Sequence, residues 1–568
     1  MAQFDPVTLE ILWNRLKSIL DDELYGLIRA AFSPVIREAK DCSAGLYDSQ
    51  GNFMTHSQEG EAHIRMTCKF FLEKHDARSL QEGDVLIGND PWKVGGHLND
   101  TAVCVPIVVK GRVGGFTCYL AHQLDIGGRG FSADSTSTYE EGLLIPFVKL
   151  FQAGEPNMDV FELIAGNVRH SEVVLSDVRA QMASAQNAAA KIGAVMEEFG
   201  LETLDELAQE MILKTEDATR KAIEAVPDGE YDHEVFTDGF DAREPIKIAL
   251  KMTVKGSNII LDWSGSSPQN MYGINLVYHH TLALAHQCLM CAIWPHVRDN
   301  EGSYRPLNQI APEGCIMNAR YPAAVMARHL TGFYIPSAVF GCLEKAGWKH
   351  VVADSAAVSN FGVVSTNEKG DQIFAITTCL GGMGARHCLD SPTTLFPFVI
   401  SDIPIEIIET EFPLFVRKRE MVQDSGGPGK FRGGLGQSII VKVESTKPAV
   451  FHCMQERILH PPQGFRGGMA GGCAQLVINE KIRPHPKKGY ILNMGDEVRI
   501  DSNGGGGFHP PEERDPEKVL EDVLDEYVSV NQARKWYKVV VDKKRKRINW
   551  KATRRLRDVG RSPTTAQS

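Results

Sequence analysis

Two segments near residue 100 carry the residue types best suited to chemistry. The first is Asn89-Asp90-Pro91-Trp92-Lys93-Val94-Gly95-Gly96-His97-Leu98-Asn99-Asp100. The second is Ala121-His122-Gln123-Leu124-Asp125-Ile126-Gly127-Gly128. Each histidine is followed three positions later by an aspartate, and glycine pairs flank both sites. Imidazole with carboxylate suits Zn, Mn or Fe(II), and three protein ligands leave coordination positions open. On a turn, His97 and Asp100 can face one centre. A hairpin around Gly111 would return the chain so that His122 joins them. Asp90 or Asp125 is then placed to orient an imidazole from behind. The alternative reading of the same residues is a set of polar caps beside glycine turns.

Other candidates are poorer. Glu59, Glu61 and His63 could supply a base near the metal, or form a solvated loop. Cys288 and Cys291 form a CxxC with no second pair at zinc-ribbon spacing, which favours two core thiols. His279 and His280 read as core or interface residues. The run Asp424–Gly436 looks like a phosphate loop, but Lys430 is followed by Phe431, so the GxxxxGK[ST] order is missing. Tight turns between closely approaching backbones are the better reading there and at Gly504–Gly507.

The elements that must position these residues follow from periodicity. Asp5-Pro6 can cap and start a helix, and Leu9, Leu12, Trp13, Leu16 and Leu20 follow a helical stripe. Short apolar runs alternate with Gly, Asn and Asp from about 41 to 147, which predicts strands joined by loops. Helix returns over about 160–225, with Ser176 and Gly200 as end signals near the Ala-rich stretch. Residues 232–262 alternate like strands. Trp263–Val297 lacks Asp, Glu, Lys and Arg and predicts a buried helix in a large core, not a membrane span. A Gly-rich strand region covers about 355–508. Pro516–Gln532 predicts an amphipathic helix, and nine basic residues crowd 543–557. The expected fold class is α+β and multi-domain, with mixed or antiparallel sheets, flanking helices and Gly-rich loops. The expected divisions are 1–228 for the metal site, 229–400 as a central α+β unit, 401–510 as a Gly-rich β unit and 511–568 as a helical, basic tail.

The chain has 568 residues, 43% of them hydrophobic and 23% charged, with a formal net charge of −11. That composition excludes a disordered, collagen-like or coiled-coil chain. The acidic balance argues against nucleic acid as a partner, and the basic run reads as a solvated or docking tail. Twelve scattered cysteines read as reduced, mostly buried thiols. The Met-Ala-Gln-Phe-Asp-Pro start predicts no signal peptide. A cytoplasmic enzyme or enzyme subunit is the expected class, with no membrane association.

The same stretches resemble the hydantoinase B/oxoprolinase family, which includes N-methylhydantoinase B-type subunits and relatives in acetone and acetophenone carboxylases. The resemblance rests on Asp5–Leu12, Ala31-Phe32-Ser33-Pro34, Asn89–Asp100, Ala121–Gly128, Glu141-Gly142-Leu143-Leu144-Ile145-Pro146, Asp177–Gln181, Asp424–Gly436 and Glu513–Ser529. It implies a metal triad of His97, Asp100 and His122, with Asp125 and Asp90 as supporting groups. It also implies an ATP-binding partner subunit of hydantoinase A type, which phosphorylates a substrate carbonyl oxygen. Glu61 or Asp125 is the expected base or water-positioning group. The implied activity is ATP-dependent hydrolysis of a cyclic amide such as hydantoin, 5-oxoproline or a lactam. The alternatives are a subunit of a ketone carboxylase, and a non-catalytic scaffold for the ATP-binding subunit. This chain departs from the usual family pattern at Trp92–His97, His122–Asp125 and Glu61–Arg65, keeping the ligands and changing their surroundings.

Overall fold

Asp5 accepts the Val7 and Thr8 amides at 3.0 and 3.1 Å, and Pro6 opens the helix Pro6–Ala30, as the sequence predicts. Leu12, Leu16, Leu20, Leu24 and Leu27 form its buried stripe. It packs on a second long helix, Ser171–Glu198, and both lie on the same sheet. The computed structural model describes residues 4–57, 62–241, 244–366, 372–393 and 401–559.

That sheet has seven antiparallel strands. They are β1 (Cys42–Asp48), β2 (Phe53–His56), β3 (Val85–Gly88), β4 (Asp100–Val109), β5 (Arg112–His122), β6 (Val148–Gln152) and β7 (Glu155–Pro156). Their order is β2-β1-β5-β4-β3-β6-β7. The two long helices cover one face, and the shorter helix Thr67–Lys74 covers the other. Lys110 and Gly111, both at positive φ, make the two-residue turn between β4 and β5. Such a turn matches the right-handed twist of the strands it joins. The register then sets Asp100 opposite His122 and Cys104 opposite Cys118. A strand's side chains alternate in direction, so both pairs project from the same face.

A second sheet has the order Leu307–Ile310, Asn258–Asp262, Ile246–Lys255, Gly229–Thr237, and packs against the helix Ile335–Lys345. In the uncharged stretch 263–297 only Tyr278–Ile293 is helical. Asn275 explains the shortfall. Its amide donates to the carbonyls of Asn270, Tyr272 and Ala324, giving the preceding segment partners that a helix would otherwise supply.

Two further four-stranded sheets share one apolar cluster. One joins Ser359–Thr366 and Gln372–Cys379 to Ala449–Met454 and Gly489–Leu492, so its strands come from both sides of residue 400. The fold class is thus α+β with antiparallel sheets, one of them mixed where Leu307–Ile310 runs parallel to Asn258–Asp262, and flanking helices, as expected. The expected helix over 516–532 is two helices, Pro516–Leu524 and Val530–Lys535, with Glu526 at positive φ between them. The basic run forms a short hairpin and the helix Trp550–Val559. Among the described residues no helix is long and apolar enough to cross a membrane.

Candidate metal centre

The β4–β5 hairpin brings the predicted triad together. Asp100 opens β4, His122 closes β5, and His97 lies on the turn before β4. One ligand atom from each residue lies within 4.8 Å of the other two. His97 Nε2 is 2.8 Å from Asp100 Oδ1, and His122 Nδ1 is 3.3 Å from the same oxygen. All three side chains are buried. The glycine pair before His97 permits this crowding. A Cβ at Gly95 would collide with the Asp100 carboxylate, and one at Gly96, whose φ is +92°, would run into the Arg328 side chain.

A segment far away in sequence grips the triad from behind. The Met326 carbonyl oxygen lies 3.1 Å from His97 Nδ1. Arg328 donates from Nη2 to Asp100 Oδ2 at 2.7 Å and from Nε to the Gly95 carbonyl at 2.7 Å. Both neighbours of the His97 ring, the Met326 carbonyl and the ionised Asp100 carboxylate, only accept, so a cation on Nε2 would leave the ring proton on Nδ1 for Met326. Burial, with the Arg328 charge adding to it, lowers the His97 pKa to about 4, so the ring is neutral near pH 7. Burial acts against the Asp100 carboxylate, but the Arg328 charge and the hydrogen bond with His122 hold it well below its usual range. Burial also lowers His122, yet its hydrogen bond to Asp100 and the charge of Asp41 leave it raised. A neutral His97 ring has one proton for two acceptors, so one of its two contacts lacks a bridging cation or proton unless a metal ion takes the Nε2 side. The donor set and its outer layer therefore fit a divalent ion.

The triad faces a cavity of about 110 Å³. Phe131, Leu284, Phe333, Ile376 and Ile403 form much of its apolar wall, and Asp41, Arg328, His329 and Asn360 bring polar groups. Asp41 Oδ2 is 3.7 Å from His122 Nδ1. His329 stacks on Phe131 with ring centroids 5.5 Å apart, and its Nε2 is 3.2 Å from Asn360 Nδ2. Burial, then the Arg328 charge, pushes His329 well below the ordinary histidine range. A neutral Nε2 can therefore accept the Asn360 amide proton. The sequence reading missed these four residues. Arg328 carries the one usable signal: a cation directly after the uncharged run Tyr321–Ala327. Arginine in such a setting is buried only when paired.

Residues 5–511 match the sequence profile of the Hydantoinase B/oxoprolinase family. The chain belongs to that family. A protein of Pseudomonas sp. (strain NS671), named as the B-type subunit of a D-/L-hydantoinase, is 29% identical over 594 residues, covering 98% of this chain and 99% of its own. The fold is similar to that of the ATP-dependent caprolactamase of Pseudomonas jessenii, with a TM-score of 0.89 at 24% identity, covering 98% of this chain and 100% of that one. It is also similar to that of an acetone carboxylase, with a TM-score of 0.87 at 19% identity, covering 98% and 84% of the two chains.

The remaining candidates of this Hydantoinase B/oxoprolinase chain fall elsewhere. Glu59, Glu61 and the His63 side chain lie outside the described residues. Asp125, expected as a base, does not line the cavity. Arg169 donates to it from Nη1 and from its backbone amide, at 2.6 and 2.5 Å, and the Gly127 amide adds a third bond. It ties down the loop after His122. Asp90 accepts the Trp92 amide at 3.0 Å and shapes the turn before His97. Cys288 is buried and Cys291 exposed on the helix Tyr278–Ile293, and among the described residues they join no metal-ligating cluster. His280 lines the cavity, whereas His279 packs edge-on to Phe70. The glycine-rich loops meet backbone to backbone, as predicted: a Cβ at Gly433 would strike the Gly505 carbonyl.

Proposed function

We propose that this chain is the metal-bearing subunit of an ATP-dependent cyclic amide hydrolase, working with an ATP-binding subunit of hydantoinase A type. The observation that carries the reading is the convergence of His97 Nε2, Asp100 Oδ1 and His122 Nδ1 beside a cavity. The near full-length similarity to a B-type hydantoinase chain and the fold of an ATP-dependent caprolactamase support it. The substrate class is a hydantoin, 5-oxoproline or a lactam.

An amide carbon resists attack by water because nitrogen donates into the carbonyl. Phosphorylation of the amide oxygen in the partner subunit, at the expense of ATP, makes that carbon an acceptor. His97, Asp100 and His122 would hold a divalent ion, whether Zn, Mn or Fe, which would supply Lewis acidity. The chain's own residues do the rest. Met326 fixes the His97 tautomer, and Arg328 occupies the outer oxygen of Asp100 so that the inner one faces the imidazoles. Asp41, beside His122, is the carboxylate positioned to accept a proton from an attacking water. Phe131, Ile376 and Ile403 make that wall of the cavity apolar and restrict access of bulk water. Addition of the attacking water and expulsion of the ring nitrogen, protonated as it leaves, open the ring to an acyl phosphate, which a second water hydrolyses to carboxylate and inorganic phosphate.

A second reading, carboxylation of a ketone with bicarbonate, draws on the acetone carboxylase fold. One assay separates the readings. The chain is co-expressed with an ATP-binding hydantoinase A-type subunit, and ADP release is followed with hydantoin, 5-oxoproline, caprolactam or acetone, with labelled bicarbonate present. ADP release with ring opening and no incorporated label supports the hydrolase. Label in the product supports the carboxylase. A metal-free chain in a fully active complex would reduce it to a scaffold.

A further inference from the structure

The segment Ala324–Arg328 is the part of the site farthest from the ligands in sequence, and it is held in a particular way. Glu141 Oε1 accepts the Val325 and Met326 amides, both at 2.8 Å, and the Ser135 hydroxyl at 2.7 Å. The Ala327 amide donates to the Gly273 carbonyl at 2.7 Å, and the Ala324 carbonyl accepts from Asn275 at 2.8 Å. A Cβ at Gly273 would come within 3.2 Å of Glu141 Oε1, so the carboxylate sits in a close-fitting slot. Glu141 is only 1% exposed and belongs to the Glu141–Pro146 stretch to which the mechanism gives no task.

The consequence lies in the next two residues. Met326 receives Glu141 on its amide and offers its carbonyl to His97 Nδ1. Arg328, two residues on, holds both Asp100 and the Gly95 carbonyl. One carboxylate thus anchors the segment that orients two of the three ligands. Three donors converge on a single oxygen of Glu141, while its other oxygen, Oε2, is buried with no hydrogen-bond partner. A buried acceptor left without a partner costs stability. Groups behind metal-bound histidines and carboxylates commonly change metal affinity by 10- to 100-fold when removed.

We propose that Glu141 is a positioning residue for the metal centre, fixing the 324–328 segment so that Met326 and Arg328 present His97 and Asp100 to one ion. This rests on the metal-subunit reading above. The test is metal affinity of the purified full chain, titrated with Co²⁺ and followed by its d–d absorption, beside the thermal midpoint. Glu141→Asp, which draws the carboxylate back by one carbon, should weaken Co²⁺ binding about 10- to 100-fold while the circular dichroism stays that of the native chain. Glu141→Gln, which keeps an acceptor for both amides, should stay within about threefold of wild type. Glu141→Asp binding as tightly as wild type overturns the proposal, as does a variant that loses thermal stability alone. If Glu141→Asp fails to fold, Glu141→Met, which fills the slot without an acceptor, takes its place, and Co²⁺ binding as tight as in Glu141→Gln would overturn the proposal. A wild-type chain that binds no Co²⁺ removes the metal reading itself, which separates that failure from this one.

Discussion

The two halves of the β4–β5 hairpin offer two ligand clusters and one site. Asp100 and His122 face each other at one end. Four residues along each strand, on the same face, Cys104 faces Cys118, and Cys68 from the helix Thr67–Lys74 completes a second trio. Both trios bring ligand atoms within 4.8 Å of one another, and both are buried. What surrounds them differs. The first has Met326 to set a tautomer, Arg328 to take the outer carboxylate oxygen, and a cavity. The second shares an apolar cluster with Phe53, Phe71, Leu86 and Phe116, and none of its members lines that cavity. Burial pushes the Cys68 and Cys118 thiols well above their usual range. At Cys104 burial acts the same way, but hydrogen bonds from Cys118 and Cys68 bring it to about 6. Cys68 and Cys118 are therefore held as thiols that donate to Cys104. Ligand types at ligand distances are therefore common to both ends. The hydrogen-bonded layer behind the ligands and access to them are what distinguish the end proposed as the metal site.

The largest effect expected from this contrast is at the ligands. His97→Ala or Asp100→Ala should lower metal affinity by well over about 100-fold, beyond what outer groups achieve, and abolish turnover. Metal content by mass spectrometry alongside circular dichroism checks it. Arg328→Met comes next. It strands Asp100 without its cation, and removing one member of a buried pair costs about 3–5 kcal/mol. Chemical denaturation should show that loss, with metal affinity down about 10- to 100-fold.

A third effect appears with pH. Burial raises the Glu141 carboxyl to about 7 from 4.5, against the lowering bonds of Ser135, Met326 and Val325. Between those values the folded chain holds a proton that the unfolded chain has lost. The group's contribution is thus full below pH 4.5 and is lost as pH rises through 7, at up to about 1.4 kcal/mol per unit. Denaturation midpoints across this window should fall more steeply for wild type than for Glu141→Gln. Parallel curves would contradict the assignment. The smallest effect belongs to the sulfur trio. Cys118→Ala should leave metal stoichiometry unchanged and cost about 1–2 kcal/mol in stability, as loss of a small buried group does. Loss of bound metal there would reverse the comparison.

Much of the site was legible because it is local. His97, Asp100 and His122 come from one turn and one hairpin, and Gly111 marks where the chain reverses. The first helix was legible from Asp5, Pro6 and its leucine stripe. The outer layer was not, because Arg328 and Met326 act on residues more than 200 positions earlier and obey no period. Asp125 misled for the converse reason. Its three-residue spacing from His122 copies that of Asp100 from His97, yet Arg169 claims it. The overlong helix expected over 263–297 shows that the absence of charge says little about secondary structure when Asn side chains can satisfy the backbone.

The most direct measurement is an anomalous-difference map from crystals of the purified chain grown with Mn²⁺ or Zn²⁺, collected at the metal's absorption edge. The account predicts one strong peak between His97 Nε2, Asp100 Oδ1 and His122 Nδ1, and none among Cys68, Cys104 and Cys118. Density at the sulfur trio with nothing at the histidines, or full activity from a complex with no peak at all, would contradict it.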